Sequence, residues 1–291
     1  MRHRLAIALV AFVLAVSPLR AQTGKSFMWK VEGEGGNIAY LLGSLHVLTP
    51  EWYPLNATIN NAFTGSRILI EELLLDEASD PTAMMSAMMK AMLTDGRTLD
   101  QVISPQLYAD VKRRAEQTGM PMMAIQRMKP WLVAITLMAP TLQNAGFTPE
   151  LGVDRHFYDR AQTSGMKVQG LETLAYQLDR FDQMSPKLQE EMLKSTIEDL
   201  DKEVAGIKDM AKAWGTGDVV AMEKMMLDGL KQSPELYTLL LVERNNNWMP
   251  HVEACVKQNS GCFIVVGAAH LVGPDGLPAM LAKKGYRVTQ Q

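Results

Sequence analysis

The chain has 291 residues, of which 47% are hydrophobic and 21% charged, with a formal net charge of −3. That length and apolar content support a substantial core, arranged as one large domain or two small ones. The near-neutral balance, with no basic stripe interleaved with aromatics, excludes a polyanion-binding surface, and no nucleic-acid partner is expected.

Residues 1–21 open with the basic MRHR, continue through the apolar LAIALVAFVLAV and end in SPLRA. This pattern predicts a secretory signal peptide cut after Ala21, because the apolar run is short for a membrane-spanning helix. A retained anchor is the alternative. Residues 22–291 are then expected to form a single exported domain, periplasmic or secreted, with no stable membrane span after cleavage. Gln22, and not a cysteine, stands immediately after the cut, so a lipid-modified N-terminus is not expected.

Residues 40–55, YLLGSLHVLTPEWYPL, read as a buried strand that stops at Gly43 and turns through His46. A short helix over residues 56–64 follows, and then Gly65-Ser66-Arg67 introduces a second strand, Ile68-Leu69-Ile70. That strand runs into Glu71-Glu72. Adjacent residues of a strand point to opposite faces, so one of these carboxylates is expected in the site and the other outside it. Glu71 is assigned to the site, and Glu72 to solvent or a structural ion pair.

Residues 77–249 read as a large, mainly helical insertion covering the site, punctuated by prolines. Ser104-Pro105, Ser185-Pro186 and Ser233-Pro234 each place a capping hydroxyl before a first-turn proline. Methionine is frequent, 21 in all, and Met84, Met85, Met88, Met89 and Met92 share a helical stripe, with Met120, Met122, Met123 and Met128 nearby. Adaptable packing or an apolar groove is expected here ahead of Cu(I) binding, since no Cys or His interrupts the stripe. Asp154 begins a helix, either as a simple cap or with a role at the site. His156 is expected on that helix in a surface or hydrogen-bonded role, and His251 at a cap or in solvent. Arg244, in LLLVERNNNW, is read either as a carboxylate or oxyanion partner or as a surface pair with Glu243.

Cys255 and Cys262 bracket VKQNSG and are expected to form a disulfide in an oxidising compartment, ahead of a metal-binding or redox pair, whose spacing is usually tighter. Residues 264–279, IVVGAAHLVGPDGLPA, then repeat the first motif. Gly267 matches Gly43, His270 matches His46, Pro274 matches Pro50, Asp275 matches Glu51 and Pro278 matches Pro54. A helix around residues 277–284 and Gly285-Tyr286-Arg287-Val288-Thr289 complete the parallel. The expected fold is therefore α/β, with a central sheet built from two strand–Gly-x-x-His–helix–strand halves near the chain ends. The two motif glycines provide unusual backbone angles or close approach. The two imidazoles lie past strand C-terminal ends, where open α/β sheets place ligand crevices, and share one crevice.

GSLH at 43–46, ILIEE at 68–72, LGVDRHF at 151–157, LET at 171–173, ERN at 243–245 and GAAHLVGPDG at 267–276 together resemble the TraB/GumN family, related to the Tiki proteases. The resemblance covers essentially the whole chain beyond the signal segment. It implies an active site at His46, Glu71, Arg244 and His270 in a metal-dependent hydrolase of peptides or small molecules. By the same resemblance His46, Glu71 and His270 would ligate a divalent ion, manganese or cobalt ahead of zinc. Such an ion would activate water. Arg244 would then stabilise the tetrahedral intermediate, and Glu51 or Asp275 would orient a ligand histidine. The related erythromycin esterases imply an alternative, a metal-free hydrolase with His46 as base. The ChaN-like proteins imply another, a crevice that binds metal, haem or peptide without chemistry. No His-Glu-x-x-His helix, Gly-x-Ser-x-Gly elbow or phosphate loop is present.

Overall fold

A computed structural model describes residues 24–291, apart from the side chains of residues 78–79 and 199–203. The signal peptide expected over residues 1–21 lies outside the described residues. A six-stranded sheet forms the centre, in the order β4-β3-β5-β2-β1-β6. The strands are β1 (Met28–Glu32), β2 (Ile38–Ser44), β3 (Ile68–Glu71), β4 (Lys167–Gly170), β5 (Cys262–Gly267) and β6 (Arg287–Gln290). Every residue of CFIVVG in β5 is buried, as expected of a parallel strand covered on both faces. Strands β2 and β5 run parallel as neighbours, with Ser44 opposite Gly267, so both histidine turns leave the same end of the sheet.

Each half contains the expected elements: β2, α1 (Ala57–Thr64) and β3 in the first, and β5, a helix over Leu277–Lys283 and β6 in the second. Their places in the sheet differ. Strand β3 runs parallel to β5. Strand β6 pairs antiparallel with β1, which the sequence pattern did not announce and which separates β6 from β2. The repeat is one of local elements, therefore, and the halves contribute unequally to the sheet.

The middle region supplies α2 (Leu75–Ser79), α3 (Pro81–Lys90), α4 (Pro105–Gln117), α5 (Met122–Ile125), α6 (Pro130–Asn144), α7 (Val153–Ser164), α8 (Leu174–Asp182), α9 (Pro186–Thr216), α10 (Val219–Lys231) and α11 (Pro234–Tyr237). A π-helical turn over Thr238–Val242 leads into α12 (Glu243–Lys257), and the helix after β5 is α13 (Leu277–Lys283). The region is mainly helical but also gives the sheet its edge strand β4, parallel to β3. The serine–proline signals at Pro105, Pro186 and Pro234 all begin helices, and the Ser185 hydroxyl accepts from the Leu188 N–H at 3.3 Å.

One apolar core surrounds the sheet, with Phe27, Leu41, Leu42, Phe157 and Phe263 fully buried. A second lies within the helical cover, where Leu99, Val111, Ile125, Val133, Leu137 and Leu193 meet. The 31-residue α9, about 46 Å long at 1.5 Å per residue, joins the two. At its C-terminal end Trp214 Nε1 donates to the carbonyl of Gly43 at 2.6 Å, fixing the cover to the strand that delivers His46. Cys255, in the last turns of α12, is disulfide-bonded to Cys262 at the start of β5. Met84, Met85, Met88 and Met89 of α3 are exposed, as is Met123. Among the described residues no helix is long and apolar enough to cross a membrane.

Candidate functional site

The motif glycines act through close approach and not through unusual angles: Gly267 has φ −51°, and neither it nor Gly43 has positive φ. A Cβ on Gly43 would lie 2.4 Å from the Phe27 ring and 3.2 Å from Ala268 Cα, which would force the two histidine turns apart. A Cβ on Gly267 would lie 3.1 Å from Glu72 Oε1, 3.6 Å from His46 Nε2 and 3.6 Å from His270 Cδ2. Both imidazoles and the Glu72 carboxylate therefore converge on the end of β5.

The histidines meet different surroundings. His46 Nδ1 lies 3.2 Å from Asp154 Oδ2, and Ser44 Oγ donates to Asp154 Oδ1 at 2.9 Å. The N-terminus of α7 reaches this turn because residue 152 is glycine: a Cβ there would lie 2.5 Å from the His46 carbonyl. The Asp154 carboxylate raises His46 to about 9 against a desolvation that works the other way. Solvent reaches 63% of the His46 side chain and screens that attraction. With Nδ1 turned to Asp154, Nε2 is the nitrogen left toward the crevice.

His270 is buried. Its Nδ1 lies 2.7 Å from Asn245 Oδ1, its Nε2 lies 3.1 Å from Arg244 Nη1, and the Trp248 ring packs at 4.4 Å between centroids. Burial pushes its pKa down to about 3, with Arg244 opposing the cationic form further and Glu72, 3.8 Å away, favouring it.

Arg244 is the hub, and it is not a surface partner of Glu243, which pairs with Arg180 instead. Its Nη2 donates to Glu72 at 2.5 Å and Glu172 at 2.6 Å. Its Nε donates to Glu172, and its Nη1 to the Leu240 carbonyl at 3.3 Å and to His270. Every guanidinium N–H is thereby committed within the protein. Glu172 also accepts from Trp248 Nε1 at 3.0 Å, and Gln177 Nε2 donates to Glu72 and Glu172. Glu72 accepts the Gly267 N–H at 2.6 Å. Burial opposes ionisation of Glu72, but Arg244, the imidazoles and that N–H outweigh it and hold the pKa at about 2.

The adjacent carboxylates thus have opposite environments. Glu72, expected in solvent or in a structural pair, sits in a buried ion pair inside the constellation. Glu71, expected at its centre, is 2% exposed, and neither carboxylate oxygen has a hydrogen-bond partner. Burial, with the like charges of Asp154, Glu72 and Asp159 added, pushes Glu71 up to about 9. Glu71, Glu72, His46, Asp154, Ser44 and Gln177 all line one cavity of about 210 Å³.

The nominated ion ligands do not fit an ion as they stand. Both His270 nitrogens are engaged within the protein, Nδ1 by Asn245 and Nε2 by Arg244. Among the described residues no three His, Cys, Asp or Glu groups come together as a metal-holding set. Nor do Glu51 or Asp275 orient the histidines through their carboxylates. Glu51 is exposed, and the Asp275 carboxylate accepts from Tyr237 at 2.9 Å while its backbone carbonyl holds Asn245. Asp154 and Asn245 occupy those orienting places. His156 packs between Tyr53 and Phe157, and His251 is exposed, both away from the crevice.

Sequence reasoning gave no role to Glu172, Asn245, Gln177 or Trp248. Glu172 follows the C-terminal end of β4, the same place on the sheet that drew attention to Glu71. Recognising KVQG as a strand would have exposed it. Asn245 and Trp248 lie one and four residues beyond Arg244 on α12, where the four-residue step is a helical turn that brings Trp248 beneath the guanidinium, 4.7 Å from ring centroid to Cζ.

No curated protein and no solved structure matches the chain. The sequence profile of the TraB/PrgY/gumN family matches residues 27–290, spanning the whole sheet from β1 to β6 and every residue of the constellation, and the chain belongs to that family.

Proposed function

We propose that this protein is an exported hydrolase of acyl bonds, peptides ahead of esters, in which His46 is the general base. The observation that carries the reading is the His46–Asp154 pair, 3.2 Å apart, with Nε2 left toward a cavity of about 210 Å³. A carboxylate on Nδ1 fixes the tautomer with a bare Nε2 and stabilises the imidazolium formed on proton transfer. His46 Nε2 takes a proton from a water in the cavity as the water oxygen attacks the acyl carbon; the tetrahedral intermediate then collapses, the bond from the acyl carbon to the leaving nitrogen or oxygen breaks, and the imidazolium gives its proton to that leaving group. Glu71, held neutral by burial in the wall of the same cavity, adds no negative charge against the oxyanion that forms there. Arg244 contributes fixed positive charge and holds Glu72 and His270, its own N–H groups being already taken. The basic and apolar start of the chain and the Cys255–Cys262 disulfide support export.

The metal-dependent peptidase that the resemblance implies is the second reading, and the unpartnered Glu71 carboxylate favours it. It requires His270 to leave Arg244 before its Nε2 can meet an ion.

Peptide and ester libraries offered to purified residues 22–291, with and without chelator and beside His46→Gln, test the proposal. Turnover that survives chelation and is lost in His46→Gln supports it. Turnover that needs added manganese or cobalt replaces it with the second reading. Bound ligand without turnover makes the crevice a carrier.

A further inference from the structure

The repeat places a histidine at the same step of each half, yet the side chains around them assign different work. Asn245 decides this. Its Nδ2 donates to the Asp275 carbonyl at 2.8 Å and to the His270 carbonyl at 3.4 Å. Both are acceptors only, so the amide cannot be turned round without setting oxygen against oxygen. Its Oδ1 therefore faces His270 Nδ1, 2.7 Å away. An amide oxygen accepts, so Nδ1 carries the ring proton. Nε2 is then bare, and it meets Arg244 Nη1, a group that can only donate, at 3.1 Å. Two backbone carbonyls thus fix the amide, the amide fixes the tautomer, and the tautomer fixes one branch of the guanidinium.

We propose that Asn245 is a positioning residue that locks His270 in its Nδ1–H tautomer, so that the second histidine of the repeat anchors Arg244 and takes no part in proton transfer or cation binding. Asn245 and His270 are 1% and 4% exposed, so bulk solvent does not compete for either partner. A second proton on His270 would have to enter at Nε2, directly against the guanidinium. The groups facing the ring are Arg244, Asn245 and Trp248 from α12, Glu72 beyond β3 and His46 across the crevice. Of the titratable groups among these Glu72 alone favours the cation, and its charge is already shared with Arg244. The assignment does not depend on the hydrolase reading, since it concerns which ring nitrogen holds the proton.

Nitrogen-15 NMR of histidine-labelled residues 22–291 tests it, with His270→Gln to identify the signals. The expected result is a protonated Nδ1 and a bare Nε2 for His270, two ring nitrogens with well-separated shifts. Asn245→Ala is expected to let His270 take both tautomers and to broaden the Arg244 Nη1–H signals while the Nε–H, held by Glu172, stays sharp, which loss of an unrelated packing contact would not do. A neutral His270 with its proton on Nε2, or one that exchanges between both tautomers in the native chain, overturns the proposal. Neither result bears on turnover, so failure here is distinct from failure of the hydrolase reading.

Discussion

Arg244 and Glu72, 172 positions apart in sequence, are joined at 2.5 Å in the interior, and the Glu72 carboxylate in turn holds the N–H of Gly267. One ion pair thereby links α12, the end of β3 and the start of the second histidine turn. Removing the guanidinium leaves Glu72 and Glu172 as buried carboxylates without a counter-charge. Arg244→Met is expected to cost about 3–5 kcal/mol by denaturant unfolding. Adding Glu72→Gln and Glu172→Gln to it is expected to recover part of that loss. Arg244→Lys cannot reproduce the fork that reaches both carboxylates, and should fall between native and Met.

Glu71 gives the chain a stability slope in the alkaline direction. Its folded pKa, about 9, lies above the ordinary carboxylate value, so the folded state holds a proton the unfolded chain releases. The contribution is complete below about pH 4.3 and is lost as pH rises toward 9. Glu71→Gln is expected to raise Tm at pH 8, by about 2–4 °C for each kcal/mol recovered, and to flatten the slope. Thermal melts from pH 5 to 9 decide this. An unchanged slope would show that Glu71 is ionised and paired in solution.

Gly267→Ala places a methyl among Glu72, His46 and His270, 3.1 Å from the Glu72 carboxylate at the nearest. A shift of a few tenths of an ångström is enough to admit it. The expected outcome is a folded protein whose turnover falls about 10- to 100-fold, because small displacements of reacting groups are costly. Circular dichroism with kinetics on the substrate from the library screen checks both parts.

The Cys255–Cys262 bridge closes a short loop between α12 and β5, so it ties the helix carrying Arg244 to the strand leading to His270. Loop-closure entropy for so short a ring gives about 2–3 kcal/mol. Replacing both cysteines by alanine is expected to lower unfolding stability by that order. The Arg244 side-chain NMR signals should persist if the ion pairs hold the site without the bridge.

Much of this arrangement was legible in the residues. The doubled Gly-x-x-His pattern marked β2 and β5, their glycines and the convergence of His46 and His270, because an apolar run ending at a glycine is a local signal. The choice between Glu71 and Glu72 was not legible. Alternation along β3 separates their faces, but which face meets Arg244 depends on α12, which arrives from far along the chain. Strand β1 was missed because MWKVE is short and reads weakly without its antiparallel partners. Strand β4 was missed because KVQG is largely exposed and carries almost no apolar signal. Asn245 was visible beside Arg244, but its role rests on carbonyls brought in from the second histidine turn.

The pH–rate profile of the native chain and of Asp154→Asn, both in chelator, tests the His46–Asp154 account most directly. Asp154 raises His46 above its ordinary value near 6.5, so native turnover should rise with pH to a midpoint above that value as the base form appears. Asp154→Asn should lower that midpoint and reduce the plateau rate about 10²- to 10⁴-fold. Native turnover that vanishes in chelator and returns with manganese or cobalt, or a profile that Asp154→Asn leaves in place, would contradict the account.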